Sequence, residues 1–329
     1  MKVLVIGGGY IGQVHLDQYK RMPGIEIAGL VDSRPEASQV ARKYNINFYH
    51  SVEEVKAGDF DVVDIDVPTV FHKEYAFWAC NLGKHIICEK PLARDVKDAA
   101  SIVDKCKENN VRLFVGLVLR YYPEYIKAKK IVESGAIGTP CTASTWRGGS
   151  YPNGQQDWYA DRGKSGGTVF DLAIHDFDFL RWTLGPVEQV FCRQTSQKIG
   201  RIDYSVTVLK FKSGAISDTH GFWSHGNFRT KFEIAGTEGL IVNDSTKNQT
   251  LYATSAYTLT EDENDNSYPD FIWKYDPMYK ELEDFIESIE KKKQASVTEL
   301  DALEAVKISS AAEQSAKTGN PVFLEEVLE

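Results

Sequence analysis

The sequence predicts an α/β protein built from two domains. Its 329 residues exceed what one hydrophobic core usually holds. Strand-like and helix-like segments alternate through the first third of the chain, which indicates a doubly wound parallel sheet. After about Arg120, alternating strands predominate, which indicates an α+β domain with a large open, mostly antiparallel sheet. We therefore expect one domain over residues 1–121 and a second over residues 122–329.

The first domain is expected to contain buried parallel strands, because its short apolar runs are rich in Val and Ile. These strands are Val3–Ile6, Ile27–Val31, Val62–Asp66, His85–Cys88 and Leu113–Val115. Helical segments lie between them over Ile11–Lys20, Pro35–Tyr44, Phe71–Asn81 and Val96–Asn109. Crossover helices cover both faces of such a sheet, which accounts for the nearly continuous apolar character of the strands.

The second domain is expected to begin with a helix over Tyr125–Ser134 that ends at Gly135. A Gly-, Ser- and Asn-rich stretch, Gly148–Gly154, precedes an apolar helix near Val169–Leu184. The predicted strands are Val187–Gln194, Tyr204–Phe211, Ala215–Phe222, Thr230–Ala235 and Gly239–Asn243, with a hairpin turn at residues 212–214. The polar segment Glu261–Ser267 is expected to form a loop, and helices near Met278–Lys291 and Glu299–Thr318 complete the chain.

Composition excludes several classes of function. The formal net charge of -9 argues against a general nucleic-acid binder, because phosphate contacts need clustered Lys and Arg. No apolar run approaches the roughly 20 residues that span a bilayer, and no signal-peptide pattern precedes the first strand. The five cysteines are odd in number and form no C-x-x-C pair, and the seven histidines lack metal-ligand spacing. We therefore expect a cytoplasmic protein with reduced thiols, no metal, no membrane partner and no nucleic-acid partner.

A glycine-rich turn over residues 7–12 predicts a dinucleotide site. Gly7, Gly9 and Gly12 fit the pattern G-x-G-x-x-G, which here follows a strand and opens a helix, with Tyr10 and Ile11 inside it. Gly7 makes the tight turn, Gly9 lets the backbone approach a pyrophosphate, and Gly12 allows close helix–strand packing. The helix start then presents free N–H groups and the positive end of its dipole to the phosphates.

The residues after the second strand bear on the choice of cofactor. Asp32 lies twenty residues beyond Gly12, where a carboxylate accepts hydrogen bonds from the ribose hydroxyls of the adenosine. A carboxylate there repels a ribose phosphate, so we expect NAD rather than NADP. Ser33 and Arg34 leave NADP possible, because an arginine at this place can hold the additional phosphate.

The run Glu89-Lys90-Pro91 follows a buried strand and places a lysine at an unusual position. Ligands of open α/β sheets lie outside the carboxyl ends of the strands, where Lys90 is expected to emerge. There its ammonium can hydrogen-bond a reacting oxygen and stabilise developing charge. Pro91 would make the turn rigid, with a cis bond as one possibility. The alternative is an ordinary exit from the strand with a solvated lysine.

Asp171 and His175 lie four residues apart in a strongly apolar helix, so they share one face, and Asp178 continues that stripe. Burying such groups is costly unless they are paired or used. The alternatives are a capping acid for Asp171 and a core histidine for His175. Oxidation of an alcohol requires removal of the hydroxyl proton, and histidine is the side chain whose ordinary pKa suits that exchange. We therefore favour a catalytic pair.

These motifs together resemble the glucose–fructose oxidoreductase, inositol dehydrogenase and rhizopine-catabolism (Gfo/Idh/MocA) family over nearly the whole chain. The resemblance rests on residues 7–12, 83–85, 89–91, 165–167 and 232–239, together with Asp171 and His175. It implies a Rossmann domain followed by an α/β domain with an open sheet. It also implies a homo-dimer or homo-tetramer assembled through that C-terminal sheet.

The resemblance also implies roles for particular residues. Lys90, Asp171 and His175 would line the substrate pocket, with His175 as the acid–base group. Further cofactor contacts would come from Pro68, Thr69, His72, Glu89 and Arg120, while Tyr121 and Tyr122 pack nearby. Asp157, Trp158 and Tyr159 resemble a substrate-side loop, in which an aromatic ring can stack on a sugar. A plain helix start at residues 68–72 and plain packing at residues 157–159 are the alternatives.

The preferred function is therefore an NAD(P)-dependent oxidoreductase that transfers hydride between nicotinamide and a hydroxyl-bearing carbon of a cyclitol or sugar, as inositol 2-dehydrogenases do. One alternative is a nucleotide-sugar 3-dehydrogenase, which would need a basic site such as Arg147, Arg162 and Lys164 for the diphosphate. The other is a regulatory protein that binds a dinucleotide without catalysis. Such a protein would not need Lys90, Asp171 and His175, so the presence of all three counts against it.

Overall fold

The computed structural model describes residues 1–152, 155–197, 201–224, 226–247, 251–255 and 276–327. The expected loop Glu261–Ser267 and the end of the stretch Gly148–Gly154 lie outside the described residues. The chain divides into two compact units. The first contains residues 1–93, 97–118 and 276–303. The second contains the remaining described residues, including 94–96.

The first unit is built on a six-stranded parallel sheet. Its strands are β1 (Lys2–Ile6), β2 (Glu26–Val31), β3 (Phe48–Tyr49), β4 (Val62–Ile65), β5 (His85–Cys88) and β6 (Leu113–Val115). They lie in the order β3-β2-β1-β4-β5-β6, which is the order of a Rossmann fold. The predicted doubly wound sheet is therefore confirmed. Strand β3 was not predicted, because two residues are too short to show a periodicity.

Helices of the first unit follow the strands closely. They are α1 (Tyr10–Arg21), α2 (Ser38–Tyr44), α3 (His72–Asn81) and α4 (Val96–Glu108), of which residue 96 itself falls in the second unit. A later helix, α8 (Pro277–Lys291), packs against α1 and brings Phe285 onto Phe114, with ring centroids 5.1 Å apart. The first unit thus recruits a helix from near the end of the chain.

The centre of the parallel sheet is fully buried, which positions the residues at the ends of its strands. Val3, Leu4 and Val5 of β1 have no exposed surface, and neither do Val62 and Val63 of β4. Burying one such side chain stabilises the fold by about 1.5–3 kcal/mol. The apolar strands therefore fix the register β1–β4, and the turns that follow them emerge at one edge of the sheet.

The second unit contains an eight-stranded sheet in the order β13-β12-β11-β7-β10-β9-β8-β14. Its strands are β7 (Pro140–Ser150), β8 (Val187–Gln197), β9 (Ile202–Phe211), β10 (Ile216–Ser224), β11 (Arg229–Gly236), β12 (Gly239–Asp244), β13 (Leu251–Ser255) and β14 (Val322–Phe323). All pairs are antiparallel except β7 with β10. The predicted open, mostly antiparallel sheet is confirmed, and the turn at residues 212–214 joins β9 to β10.

The long central strand β7 was not predicted. Several of its inward positions carry polar side chains, so the alternation of apolar and polar residues is absent. Thr145 lies fully buried with its Oγ1 3.0 Å from Oγ1 of Thr219 on the adjacent β10. Arg147 is buried against an acid described below. These partners, which come from distant segments, satisfy the buried polar groups of the strand.

The helices of the second unit are α5 (Pro123–Glu133), α6 (Arg162–Ser165), α7 (Ile174–Leu184) and, over most of its length, α9 (Glu299–Thr318). A π-helical segment, Val169–Ala173, leads directly into α7. The apolar helix predicted near Val169–Leu184 therefore exists but starts with a wider turn. Within the described residues, none of the helices combines the length and the apolar character needed to cross a membrane.

Candidate active site

The glycine turn after β1 has a geometry that only glycine tolerates at two of its positions. Gly7 has a φ of +108°, and a Cβ there would lie 2.4 Å from the carbonyl oxygen of Asp66. A Cβ on Gly12 would lie 1.9 Å from the carbonyl oxygen of Gly7. A Cβ on Gly9, by contrast, would have no atom within 4 Å, so the turn leaves open space beside this residue.

The start of α1 suits an anionic group. No side chain caps the helix at Gly9, and its first turn contains no acidic residue. The N–H groups of the first turn and the positive end of the helix dipole therefore point to the open space beside Gly9. Tyr10 is exposed and Ile11 half-buried at the same turn. These features fit the pyrophosphate of a dinucleotide.

Asp32 at the end of β2 is held by two groups. Its Oδ2 accepts a hydrogen bond of 2.8 Å from the backbone N–H of Gly8. Its Oδ1 accepts from the backbone N–H of Arg34 at 3.0 Å and from Nε of the same residue at 2.8 Å. Burial alone raises the pKa of Asp32, but the hydrogen bonds from Arg34 and Gly8 bring this pKa below its ordinary value. Asp32 is thus an ionised acceptor, and the neighbouring Ser33 is exposed.

The Glu89-Lys90-Pro91 turn follows β5, and its Lys90–Pro91 peptide bond is cis. Oε2 of Glu89 accepts a hydrogen bond of 3.0 Å from the backbone N–H of Lys90. A Cβ on Gly116 would lie 3.0 Å from Oε1 of Glu89, so this glycine gives the carboxylate its room. Lys90 itself is half-buried.

His72, at the start of α3, ties two turns of the first unit together. Its Nε2 lies 2.8 Å from the carbonyl oxygen of Val67, and its Nδ1 lies 3.0 Å from that of Pro91. Burial lowers the pKa of His72, and a neutral ring donates a hydrogen bond to only one of these two oxygens. The exposed Pro68 and the buried Thr69 lie in the same turn after β4. The structure therefore gives His72 a supporting position between the turns after β4 and β5.

Asp171 and His175 lie on the segment where the π-helix becomes α7. Both are half-buried, although nearly all of their neighbours on this segment are buried. The segment follows a left-handed turn at Gly166 and Gly167, whose φ values are +73° and +62°. Single π turns inside helices occur frequently at functional sites.

Two further acids of α7 are neutralised inside the second unit. Asp176 accepts hydrogen bonds from Nε and Nη2 of Arg147 at 2.7 and 3.1 Å. Asp178 accepts from Nε and Nη2 of Arg120 at 2.9 and 2.6 Å. Asp178, which follows His175 on the predicted stripe, is part of a buried ion pair.

These pairs bear on two expected basic contacts. Arg120 was expected to contact cofactor or substrate, yet its guanidinium pairs with Asp178 and lies over the ring of Trp182. Arg147 was a candidate for a diphosphate, yet it is buried between Asp176 and the hydroxyl group of Tyr125. Both arginines act within the second unit as partners of buried acids.

A polar group beside the Gly166-Gly167 turn was missed by the sequence analysis. Oδ1 of Asp203 on β9 accepts a hydrogen bond of 3.2 Å from Oγ1 of Thr168, which also lies 3.0 Å from Oγ of Ser205. Nε of Arg162 lies 3.4 Å from Oδ2 of Asp203. Burial raises the pKa of Asp203 above its ordinary value, although Arg162 lowers it. No motif connects these residues in the sequence.

The loop expected on the substrate side contains aromatic rings that contact one another. The ring centroids of Trp158 and Tyr159 lie 4.5 Å apart, and Tyr159 meets Trp223 edge-on at 5.4 Å. Trp223 in turn contacts Tyr151 at 5.2 Å. Asp157 is exposed, with a carboxylate oxygen 3.5 Å from Nη2 of Arg201.

Comparisons with known proteins identify the family. The model of an oxidoreductase family with an NAD-binding Rossmann fold, GFO_IDH_MocA, matches residues 1–117. The model of the GFO/IDH/MocA C-terminal domain matches residues 125–242. The chain belongs to the Gfo/Idh/MocA family. It is thus an oxidoreductase of a family with an NAD-binding fold, as its motifs suggested.

Named Gfo/Idh/MocA relatives act on cyclitols and sugars. The chain is 29% identical to myo-inositol 2-dehydrogenase of Thermotoga maritima, with 100% of both chains covered. It is 30% identical to 1,5-anhydro-D-fructose reductase of Ensifer adhaerens, over 84% of this chain and 83% of the relative. Levoglucosan dehydrogenase, solved with NADH and levoglucosan, superimposes with a TM-score of 0.87 at 26% identity, over 99% of this chain and 100% of the other.

Proposed function

We propose that this Gfo/Idh/MocA protein is an NAD-dependent dehydrogenase of the inositol 2-dehydrogenase type, acting on a hydroxyl-bearing carbon of a cyclitol or monosaccharide. One observation carries this proposal. On a segment where Asp176 and Asp178 are neutralised by arginines, Asp171 and His175 keep part of their surface accessible. A buried helix that keeps an acid and an imidazole accessible is suited to proton transfer with a ligand.

In the proposed reaction, Lys90 donates a hydrogen bond to the reacting oxygen and stabilises its negative charge. His175 accepts the hydroxyl proton, and Asp171 orients the ring and favours the imidazolium that forms. The carbon–hydrogen bond of the substrate breaks with its electron pair, and a carbonyl group remains. Bound NAD supplies the hydride acceptor.

The cofactor is proposed to contact the turns that follow the parallel strands. The pyrophosphate would meet Gly7, Gly9, Tyr10, Ile11 and Gly12. The adenosine ribose would meet Asp32, Ser33 and Arg34, and the nicotinamide half would meet Pro68, Thr69, Glu89 and Lys90, in turns that the buried His72 holds together. We do not assign Arg120 to these contacts, because its guanidinium pairs with the buried Asp178. The ionised state of Asp32 supports NAD over NADP, since its carboxylate accepts hydrogen bonds from ribose hydroxyl groups and repels a phosphate. Arg34 already pairs with Asp32, which makes it a poorer partner for a ribose phosphate.

On the substrate side, we propose that Asp157 hydrogen-bonds hydroxyl groups and that Trp158 stacks on the substrate ring. The contact of Trp158 with Tyr159 supports this role, because Tyr159 in turn packs on the buried Trp223 and holds the indole in place. A nucleotide-sugar substrate is less well supported. Of the three basic residues that it would need, Arg147 and Arg162 are engaged with Asp176 and Asp203.

We propose that the protein works in the cytoplasm as a homo-dimer or homo-tetramer formed through the large sheet. Trp146, Val208 and Ile216 lie on neighbouring strands and are 44%, 39% and 50% exposed, which supports an apolar contact surface. The variant Ile216→Lys should then shift the mass measured by light scattering toward the monomer. Glu188→Lys, at a polar and partly exposed position of β8, provides the control.

The experiment that tests the activity is a matrix of cyclitols, monosaccharides and nucleotide sugars against NAD and NADP, followed by absorbance of the reduced nicotinamide. We expect reduction of NAD by a cyclitol or monosaccharide. Turnover that requires NADP would contradict the role of Asp32. If no alcohol reduces either cofactor while NADH still binds, the chain is a dinucleotide-binding regulatory protein.

A further inference from the structure

A buried cluster of acids surrounds His15 inside the first unit. Nδ1 of His15, on α1, lies 2.9 Å from Oδ2 of Asp64 on β4 and 3.3 Å from Oδ1 of Asp66. The side chains of both acids have no exposed surface, and that of His15 is 2% exposed. Glu281 of α8 is also fully buried, and Glu89, His15 and Asp64 are near enough for their charges to affect its pKa.

Most polar atoms of this cluster have no hydrogen-bond partner within the part of the chain that the structure describes. These atoms are Nε2 of His15, Oδ1 of Asp64, both carboxylate oxygens of Asp66 and both of Glu281. Buried polar groups in folded proteins are nearly always satisfied, and each exception calls for an unseen water or ion. Glu281, on a helix far along the chain, is a further buried acid whose two oxygens need a partner.

The balance of charge in the cluster favours a bound cation over bound water or protonated acids. Even a protonated His15 supplies one positive charge against the three acids Asp64, Asp66 and Glu281. Protonation of the acids would remove charge, but a neutral carboxyl group still needs a partner for its hydrogen and its oxygens. Water would satisfy the oxygens without compensating the charge. A divalent cation does both.

The arrangement of atoms around the imidazole also fits an ion. Nδ1 of His15 and one oxygen each of Asp64 and Asp66 all lie within 4.8 Å of one another. Ligand atoms about 2.1 Å from a cation and at right angles to each other are about 3.0 Å apart. The observed 2.9 and 3.3 Å agree with such neighbouring ligands.

The other contacts resemble the second layer of a metal site. Oε1 of Glu89 lies 3.6 Å from Nε2 of His15, on the side of the ring away from Nδ1. This separation is too long for a hydrogen bond, but it places a carboxylate on the side of the ring where histidines that bind metals usually have one. The hydroxyl group of Tyr19 donates a hydrogen bond of 2.8 Å to Oδ2 of Asp64, which orients that carboxylate.

We propose that His15, Asp64 and Asp66 bind one structural divalent cation of the first transition row, such as Zn²⁺ or Mn²⁺. An imidazole with two carboxylates favours these ions over Mg²⁺ and Ca²⁺, which prefer oxygen ligands alone. The ion would clamp α1 to β4 directly behind the glycine turn, because the carbonyl group of Asp66 borders Gly7. Its role is separate from the proposed dehydrogenase chemistry.

The first test uses the unaltered full chain. The protein is produced without an affinity tag that binds metals, and its metal content is measured before and after unfolding in denaturant with a chelator. We expect about one equivalent of Zn²⁺ or Mn²⁺ per chain, released only on unfolding. Refolding with Zn²⁺ or Mn²⁺ should raise the thermal midpoint above that of the chain refolded with Mg²⁺ or chelator.

Variants then locate the ion. Asp66→Asn and His15→Gln should lose the metal and its stabilising effect, while Asp61→Asn should keep both. Asp61 is a suitable control, because its carboxylate accepts a hydrogen bond from the backbone N–H of Lys2, outside the cluster. A wild-type chain that carries no stoichiometric metal and gains no stability from either ion overturns the proposal, whatever its dehydrogenase activity.

Discussion

The guanidinium of Arg147 and the carboxylate of Asp176 form a buried bidentate ion pair, with N–O distances of 2.7 and 3.1 Å. The pair joins the central strand β7 to α7, the helix that carries His175. A second bond of 2.9 Å runs from Nη2 of Arg147 to the hydroxyl group of Tyr125. Burial raises the pKa of this tyrosine to about 12, so the hydroxyl group stays neutral.

Breaking this pair should be far more damaging than breaking an exposed one. Arg147→Met leaves the carboxylate of Asp176 buried without compensation, and we expect a loss of roughly 3–5 kcal/mol in the free energy of unfolding. Lys210→Met breaks the exposed pair with Glu188 and should cost less than about 1 kcal/mol. Urea unfolding curves measure both. Equal losses in the free energy of unfolding would show that breaking the buried pair costs no more than breaking an exposed one.

Substitution by alanine should have different effects on stability at Gly12 and at Gly9, in the turn after β1. Gly12→Ala places a Cβ against the carbonyl oxygen of Gly7, so both the thermal midpoint and the affinity for NADH should fall. Gly9→Ala has room in the protein, so stability should change little while NADH affinity falls, because the methyl group occupies the space proposed for the pyrophosphate. Fluorescence titration and thermal unfolding separate these effects. Gly58→Ala, which also has open space, is the control.

His175 should be needed for turnover but not for folding. His175→Asn removes the proposed proton acceptor, and we expect kcat to fall by roughly 10²–10⁴-fold with NADH binding retained. His220→Asn is the matched control, since His220 lies on β10 and contacts Asp218 and Tyr204. Steady-state kinetics on the substrate found in the screen provide the measurement. Retained turnover in His175→Asn would refute its role as the acid–base group.

Asp32 should contribute a stability that depends on pH. Its pKa is lowered in the folded protein, against about 3.9 for an unfolded aspartate. Near this pH the folded state binds fewer protons at Asp32 than the unfolded state, so its contribution is present above pH about 4 and is lost as the pH falls through the lowered pKa.

The corresponding variant is Asp32→Asn. Its stability should lie below that of the wild type at neutral pH and converge with it in acid. Urea unfolding between pH about 3 and 6 tests this difference. Asp59→Asn, at an exposed position outside the turn that contains Asp32, is the matched control. A constant gap between Asp32→Asn and the wild type at all pH values would mean that the ionised carboxylate is not what stabilises the fold.

The sequence predicted well wherever structure depends on local sterics and on runs of apolar residues. Gly7 and Gly12 are required because backbone oxygens lie where a Cβ would be placed. Strands β1 and β4 are specified by runs of apolar side chains, which are buried in the sheet. The parallel pair of β7 with β10 was missed, because the inward Thr145 and Arg147 give no apolar signal.

By itself, the sequence determined the parallel sheet, the open antiparallel sheet, the dinucleotide turn and the family. Only the tertiary structure decided which charged groups neutralise each other. It assigned Asp176 and Asp178 to arginines, left Asp171 and His175 partly accessible, and gathered Asp64 and Glu281 around His15. The reason is physical: backbone sterics and the spacing of apolar residues can be read within one short segment, whereas the partner of a buried charge is set by contacts between distant segments.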